Sequence, residues 1–229
     1  MIKIFLYDID FQLLCKALNV VIFNDYPKLT YLLKYLKDIA NISIKLSIPI
    51  PWLLPNGLEV TQQFLDIEII KVKSYNYLKN LLNLSIISKD KFNTNKQKRA
   101  LMPNLVHSLD AASLCLIIES YFKENNNINF YSIHDCFAVP CNKVSLLTEL
   151  LKSAYCIIYS DSKYLVQFNE NFLSKIKSYY GKNAVSLIDN NLIVTTKSGV
   201  ITLKYPNINF ILDSKISKID VRNSSYIIS

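Results

Sequence analysis

Three glycines in 229 residues leave little backbone freedom for a phosphate-cradling loop, and no glycine-rich nucleotide-binding string occurs. The five cysteines (Cys15, Cys115, Cys136, Cys141, Cys156) form no C-x-x-C pair and are odd in number, so reduced thiols are expected rather than a disulfide framework. A zinc site needs four closely spaced Cys or His ligands. The one local group, His134, Cys136 and Cys141, straddles an expected strand that would splay it apart. Mean hydropathy is positive, yet no run of ~18 uncharged apolar residues is found to span a bilayer. The opening string M-I-K-I-F-L-Y-D-I-D carries Asp8 and Asp10, which suits neither an acid-poor transit peptide nor a signal sequence. Acid is the scarcer charge. Lys and Arg number 26 against 18 Asp and Glu, a net +8 that favours polyanionic partners and equally fits an ordinary basic protein.

Histidine is rarer still, and both copies sit in compact strings, P-N-L-V-H-S-L-D at 103–110 and Y-S-I-H-D-C-F at 131–137. Ile, Leu, Asn, Lys, Ser and Tyr dominate, the usage of an A+T-rich genome, which points to an organellar or plasmid gene. No internal repeat or low-complexity segment is visible.

The periodicity predicts an α+β fold. Two helices fill the first forty residues, broken at Asp25 and Pro27, with Leu29, Leu32, Leu33, Leu36, Ile39 and Ala40 recurring at helical spacing. Pro49, Pro51, Pro55 and Gly57 surround Trp52 and predict strand, turn and strand. Residues 66–73 and 81–87 suit two strands of a protruding hairpin joined by a loop at 74–80. The run 89–99 holds Lys89, Lys91, Lys96, Lys98 and Arg99 against Asp90. It reads as a solvated basic loop or as a phosphate contact that positions nucleic acid without reading it. A helix is expected over 108–124, with Ser108 as N-cap and His107 on the turn before it. The strings N-I-N-F-Y-S-I and C-F-A-V-P predict two short strands meeting at His134-Asp135. Asp at a turn is ordinary turn chemistry, but these flanks are too apolar for a solvent-washed hairpin, and a carboxylate so placed can hold a metal ion. Further helices are expected after Asn142 and over 161–178, then a strand-rich hairpin at about 190–205.

Four strings, in order, bring one family into view. K-Q-K-R-A-L-M-P-N-L-V-H-S-L-D at 96–110 resembles the segment before the last palm motif of single-subunit DNA-directed RNA polymerases, the bacteriophage and mitochondrial type. H-D-C-F at 134–137 resembles that family's motif C. I-P-W-L-L-P-N-G-L-E-V-T-Q-Q-F at 50–64 is similar to its W-x-x-P-x-G-x-P-V-x-Q segment through Trp52, Pro55, Gly57, Val60 and Gln62, and V-R-N-S-S-Y-I-I-S resembles its C-terminal foot. The resemblance is strongest to the linear-plasmid branch of fungal and plant mitochondria.

The resemblance implies template-directed ribonucleotidyl transfer by two-metal catalysis. In that frame Asp135 is a catalytic ligand of Mg2+, and His134 shapes the site beside it. His107 contacts the nucleic-acid duplex with Asn104 and Ser108 supporting its turn, while Lys96, Lys98 and Arg99 serve as phosphate contacts. It implies DNA template, RNA product and nucleoside triphosphates as partners, a mitochondrial location and no membrane. Residues 1–48 become helices following the fingers, 49–180 a palm whose hairpin at 66–88 takes the place of the promoter-reading loop, and 181–229 a β-rich insertion and foot. The family's motif A aspartate (D-G-x-x-N-G) and motif B helix (R-x-x-x-K-x-x-x-x-x-x-Y-G) find no counterpart before residue 96. A C-terminal fragment inactive alone is therefore expected: half of a split polymerase, a decayed remnant or a truncated sequence. Ala112-Ser113 departs from the family, which usually carries a histidine there. The alternatives are a non-catalytic nucleic-acid-binding remnant or subunit, and an A-family DNA polymerase palm, whose motif C also has H-D but normally an acid where this chain has Cys136.

Overall fold

The computed structural model describes residues 8–73, 81–124, 129–133, 136–159, 163–197, 199–212 and 222–223. The loop at 74–80, the His134-Asp135 pair and all of the foot-like string except Arg222 and Asn223 lie outside the described residues. The protein is mixed helix and sheet, and every strand pairing among the described residues is antiparallel.

Helices α1 (Asp8–Asp25) and α2 (Pro27–Leu46) break at Tyr26, because a proline lacks the N–H needed inside a helix and is tolerated at its first position. The expected stripe on α2 faces inward through Leu36, Ile39 and Ala40, joined by Tyr35, Ile42 and Leu46. Ser47 ends the helix in the left-handed conformation (φ 51°), its N–H donating to the Ile44 carbonyl at 3.3 Å. Strands β1 (Ile50–Leu53) and β2 (Glu59–Gln62) then pair with Trp52 opposite Val60. Their turn needs Gly57, whose φ of 85° is open to glycine and strained for a residue with a Cβ.

Strands β3 (Leu65–Lys73) and β4 (Leu81–Phe92) form the expected hairpin, with Ile67 opposite Ile87 and Ile70 opposite Leu84. The second strand runs five residues further than its apolar pattern predicts, so Lys89 and Lys91 belong to a strand and not to a basic loop. Helix α3 (Thr94–Glu124) takes the rest of that run. Its N-cap is Asn93, whose Oδ1 accepts the Lys96 backbone N–H at 3.0 Å. The expected helix start at Ser108 is therefore corrected by more than three turns, and His107 lies inside the helix instead of on a turn.

Pro103 lies inside this longer helix. An interior proline costs about 3 kcal/mol, but Leu101, Leu105 and Leu109 on this stretch are all buried. Burying each contributes roughly 1.5–3 kcal/mol, so tertiary packing outweighs the local penalty, with Pro103 on the exposed face. By length and composition α3 also passes as a membrane span, although Asp110 and Glu119 interrupt its apolar run; about a third of its apolar window is buried within this fold.

Strands β5 (Tyr131–Ile133) and β6 (Cys136–Ala138) pair with Ile133 opposite Cys136. A 3-10 turn (Cys141–Lys143) leads into α4 (Val144–Tyr159), and α5 (Lys163–Tyr180) follows. Strands β7 (Val185–Ile188), β8 (Asn191–Thr196) and β9 (Gly199–Lys204) form a three-stranded meander, followed by the short α6 (Asn209–Leu212). The expected hairpin at 190–205 thus has a third strand, and it is no surface appendage: Leu192 and Val194 are fully buried.

The main core joins α2, β1, the first half of α3, α5 and the meander around Trp52, Phe168 and Phe172. Tyr35 and Tyr205 both donate to Asn169 Oδ1 at 2.8 Å within it. A second cluster, Ile117, Leu147, Leu151 and Ala154, packs the far half of α3 against α4 and the β5–β6 hairpin.

Candidate functional site

Helix α3 carries the first histidine string and braces the hairpin that follows through Tyr121, and a ladder of amides fixes its inward face. Gln97, fully buried, accepts the Phe64 backbone N–H on Oε1 at 3.1 Å and donates through Nε2 to Ser43 Oγ at 3.3 Å and the Gln62 carbonyl at 3.4 Å. Gln62 donates to the Gln97 carbonyl at 2.9 Å and accepts from Asn104 Nδ2 at 3.0 Å. About three turns from Gln97, Ser108 Oγ accepts the Trp52 indole N–H at 2.9 Å and donates to the Leu105 carbonyl at 2.8 Å. Asn104 and Ser108 therefore tie α3 to the β1–β2 hairpin, and the turn they were expected to support is helix.

Among the described residues the opposite face of α3 is exposed. Arg99, Pro103, His107 and Ala111 recur every fourth residue and are all exposed, with Asp110 beside them. Lys96 is also exposed and stands 4.7 Å from the Phe64 ring centroid, a cation–π contact. Lys98 is half-buried on the flank. The fold thus presents His107 and Arg99 along one stripe, while Asn104 and Ser108 hold that stripe in place from behind. Ala112 and Ser113 are buried, with Ser113 Oγ donating to the Asp110 carbonyl at 2.7 Å.

Fourteen residues beyond His107, about 21 Å along the axis, Tyr121 suspends the second string. Its ring meets Phe130 at 5.3 Å, Phe130 meets Phe137 at 6.0 Å, and its hydroxyl donates to the Asn129 carbonyl at 3.5 Å. This inner face joins the second core. The outer face carries Tyr131 and Ile133, 64 % and 55 % exposed, so the apolar flanks of the pair do face solvent on one side, contrary to expectation. Only two residues, His134 and Asp135, separate the paired Ile133 and Cys136. Both lie outside the described residues.

A tyrosine group at the α3–α4 junction escaped the sequence reading. Tyr159 donates to Asp110 Oδ1 at 3.5 Å and stacks on Tyr155 with centroids 5.8 Å apart. Burial first, then the Asp110 charge, pushes the Tyr159 phenol up to about 12. Tyr164 follows: burial and then the Tyr159 charge raise it, and its buried hydroxyl finds no hydrogen-bond partner among the described residues. The amide ladder did leave a trace in the sequence, since Gln97 occupies an apolar position of the stripe that continues through Leu101 and Leu105. No three His, Cys, Asp or Glu side chains converge to hold a metal ion among the described residues.

Comparison with known proteins brings these elements together. A family model described as DNA-dependent RNA polymerase matches residues 13–204. A "Probable DNA-directed RNA polymerase" of Podospora anserina is 39 % identical over 228 residues, covering 98 % of this chain and 24 % of the relative. One of the same description from Neurospora crassa is 32 % identical over 75 % of this chain and 19 % of its own length. The mitochondrial DNA-directed RNA polymerase of Homo sapiens is 27 % identical over 62 % of this chain and 11 % of its own length. The chain spans a quarter or less of the relatives it matches.

Proposed function

Since the chain belongs to the DNA-dependent RNA polymerase family, we propose that it supplies the motif C part of a single-subunit enzyme that copies DNA into RNA from nucleoside triphosphates. The observation that carries this reading is a family match over residues 13–204, a span that includes both histidine strings and helix α3. In this reading the reaction bonds the RNA 3′-hydroxyl oxygen to the α-phosphorus of the incoming nucleotide and releases pyrophosphate.

Asp135 is the proposed carboxylate of the centre and His134 its neighbour in the sequence. The exposed stripe with His107 and Arg99, flanked by Lys96 and Lys98, takes the nucleic acid, for cations on a rigid helix meet phosphates without reading bases. Asn104 and Ser108 act behind the stripe by fixing its angle. The β3–β4 hairpin takes the place of the promoter-reading loop and β5–β6 that of the palm hairpin. The division into helices following the fingers (1–48), palm (49–180) and β-rich part with foot (181–229) belongs to the same proposal.

Divalent metal use is general to such polymerases, and Mg2+ is the proposed ion. Two ions about 4 Å apart need more than one carboxylate. With no converging group among the described residues, Asp135 alone does not make the site, so polymerase sequence carrying the family's motifs A and B, in the same or in another polypeptide, is part of the proposal. The isolated chain is then inactive. The relatives named above are RNA polymerases, which favours ribonucleotides over the DNA-polymerase alternative. The mitochondrial relative supports a mitochondrial setting.

The test mixes this chain with the part of the Podospora anserina relative outside the matched segment and measures template-directed incorporation. Native chain should support incorporation and Asp135→Ala should abolish it. Equal incorporation by both sinks the assignment. Salt-dependent nucleic-acid binding with no incorporation in any mixture would support the non-catalytic reading instead.

A further inference from the structure

Helix α1 stands apart from the other long helices. Phe11, Leu13, Leu14, Leu18, Val21 and Ile22 are all exposed, Leu13 by 69 %. At about 3.6 residues per turn they cover more than half of the circumference, and only Cys15 and Phe23 among residues 11–25 are partly covered. Lys16 is the one charge between Asp10 and Asp25. Among the described elements α2 is the neighbour it chiefly packs on, and that contact is slight. The apolar surface continues through the exposed Tyr26 onto α2, where the exposed Tyr31 stacks on the exposed Phe210 at 6.4 Å.

A helix apolar over most of its surface belongs inside a larger body or against lipid. Helices that lie on membranes carry a Lys- and Arg-rich polar face, whereas α1 has one lysine and acids at both ends. Polypeptide is the better match. The Podospora anserina relative carries about three-quarters of its length outside the segment that this chain matches, and the family match already includes α1 from residue 13. We propose that α1 is a docking helix, covered in the working enzyme by the polymerase polypeptide that this chain does not contain. This role rests on the polymerase reading above.

The test titrates the full chain with the unmatched part of the Podospora anserina relative, produced as a separate polypeptide, and follows amide exchange over residues 8–25. The variant Leu14→Gln/Leu18→Gln/Val21→Gln removes one face of α1 while keeping good helix formers. Fluorescence of Trp52, the sole tryptophan and 1 % exposed, verifies that its core is intact. The expected result is protection of α1 on binding and affinity about thirtyfold weaker or worse in the variant, the scale of anchor residues at an interface. Equal affinity of variant and native chain, or no binding by the native chain, overturns the proposal. So does protection of α1 by self-association of the chain alone, or by vesicles of phosphatidylcholine and cardiolipin with no effect of the polypeptide. Binding through α1 without incorporation by the mixture would leave docking standing and count against the catalytic reading.

Discussion

Gln97 is the residue on which the attachment of α3 most depends, and Gln97→Leu isolates that dependence because it keeps side-chain volume while removing every polar contact. The substitution leaves the Phe64 backbone N–H without its acceptor at 3.1 Å. A donor so orphaned costs roughly 1–3 kcal/mol. The two bonds donated by Nε2 are long, at 3.3 and 3.4 Å, and one acceptor, Ser43 Oγ, keeps its own donation to the Ile48 carbonyl. Their loss adds little, so the total should be about 2–3 kcal/mol, or roughly 5–10 °C in Tm for a chain of this size. Urea unfolding followed by Trp52 fluorescence measures it, with the slope against denaturant unchanged. Gln97→Glu sharpens the case. A carboxylate there would be desolvated and would set an oxygen against the Gln62 carbonyl, raising its pKa in the folded state above the unfolded value of about 4.3. A folded pKa raised for an acid means that the folded state holds the proton more tightly, so stability falls as pH rises above about 4.3. The Glu variant should therefore be weaker at pH 8 than at pH 5 relative to native. A Leu variant within about 0.5 kcal/mol of native, or a Glu variant that gains stability with pH, would refute the view that the ladder holds the helix.

Asp110→Asn removes a charge that, after burial, raises the Tyr159 phenol. Spectrophotometric titration should show one tyrosine moving down from about 12 toward the ordinary value, whereas an unchanged titration would show that Asp110 does not act on it. In the native chain that raised phenol favours the protonated folded state, so its contribution to stability is present below pH ~10 and lost as pH climbs toward 12. Arg99→Ala, on the exposed stripe of α3, should weaken duplex binding uniformly across sequences and reduce the salt slope by about 1. A sequence-dependent loss at constant slope would argue for base contact instead.

Much of this molecule is written locally. Pro27 and the α2 stripe, the turn at Gly57 and the strand alternation of 66–73 and 81–87 depend on neighbours within a few residues, and the structure repeats them. The family too is legible in the sequence, because its strings are short runs whose order survives. What local reading missed is the work of long-range contacts. Ser108 read as an N-cap and the basic run before it as a loop, yet burial of Leu101, Leu105 and Leu109 extends the helix back to Thr94 and through Pro103. His107 changed from a turn residue to one position on a helical stripe for the same reason. The strands after Gly181 read as an insertion, and only burial of Leu192 and Val194 in the main core makes them part of it. Asn104 and Ser108 looked like partners of a histidine; which way they point was decided by Gln62 and Trp52, some 42 and 56 positions away. Chemistry residing in runs of residues could be read directly. Orientation could not, because the free energy that sets it comes from contacts between segments that the sequence keeps apart.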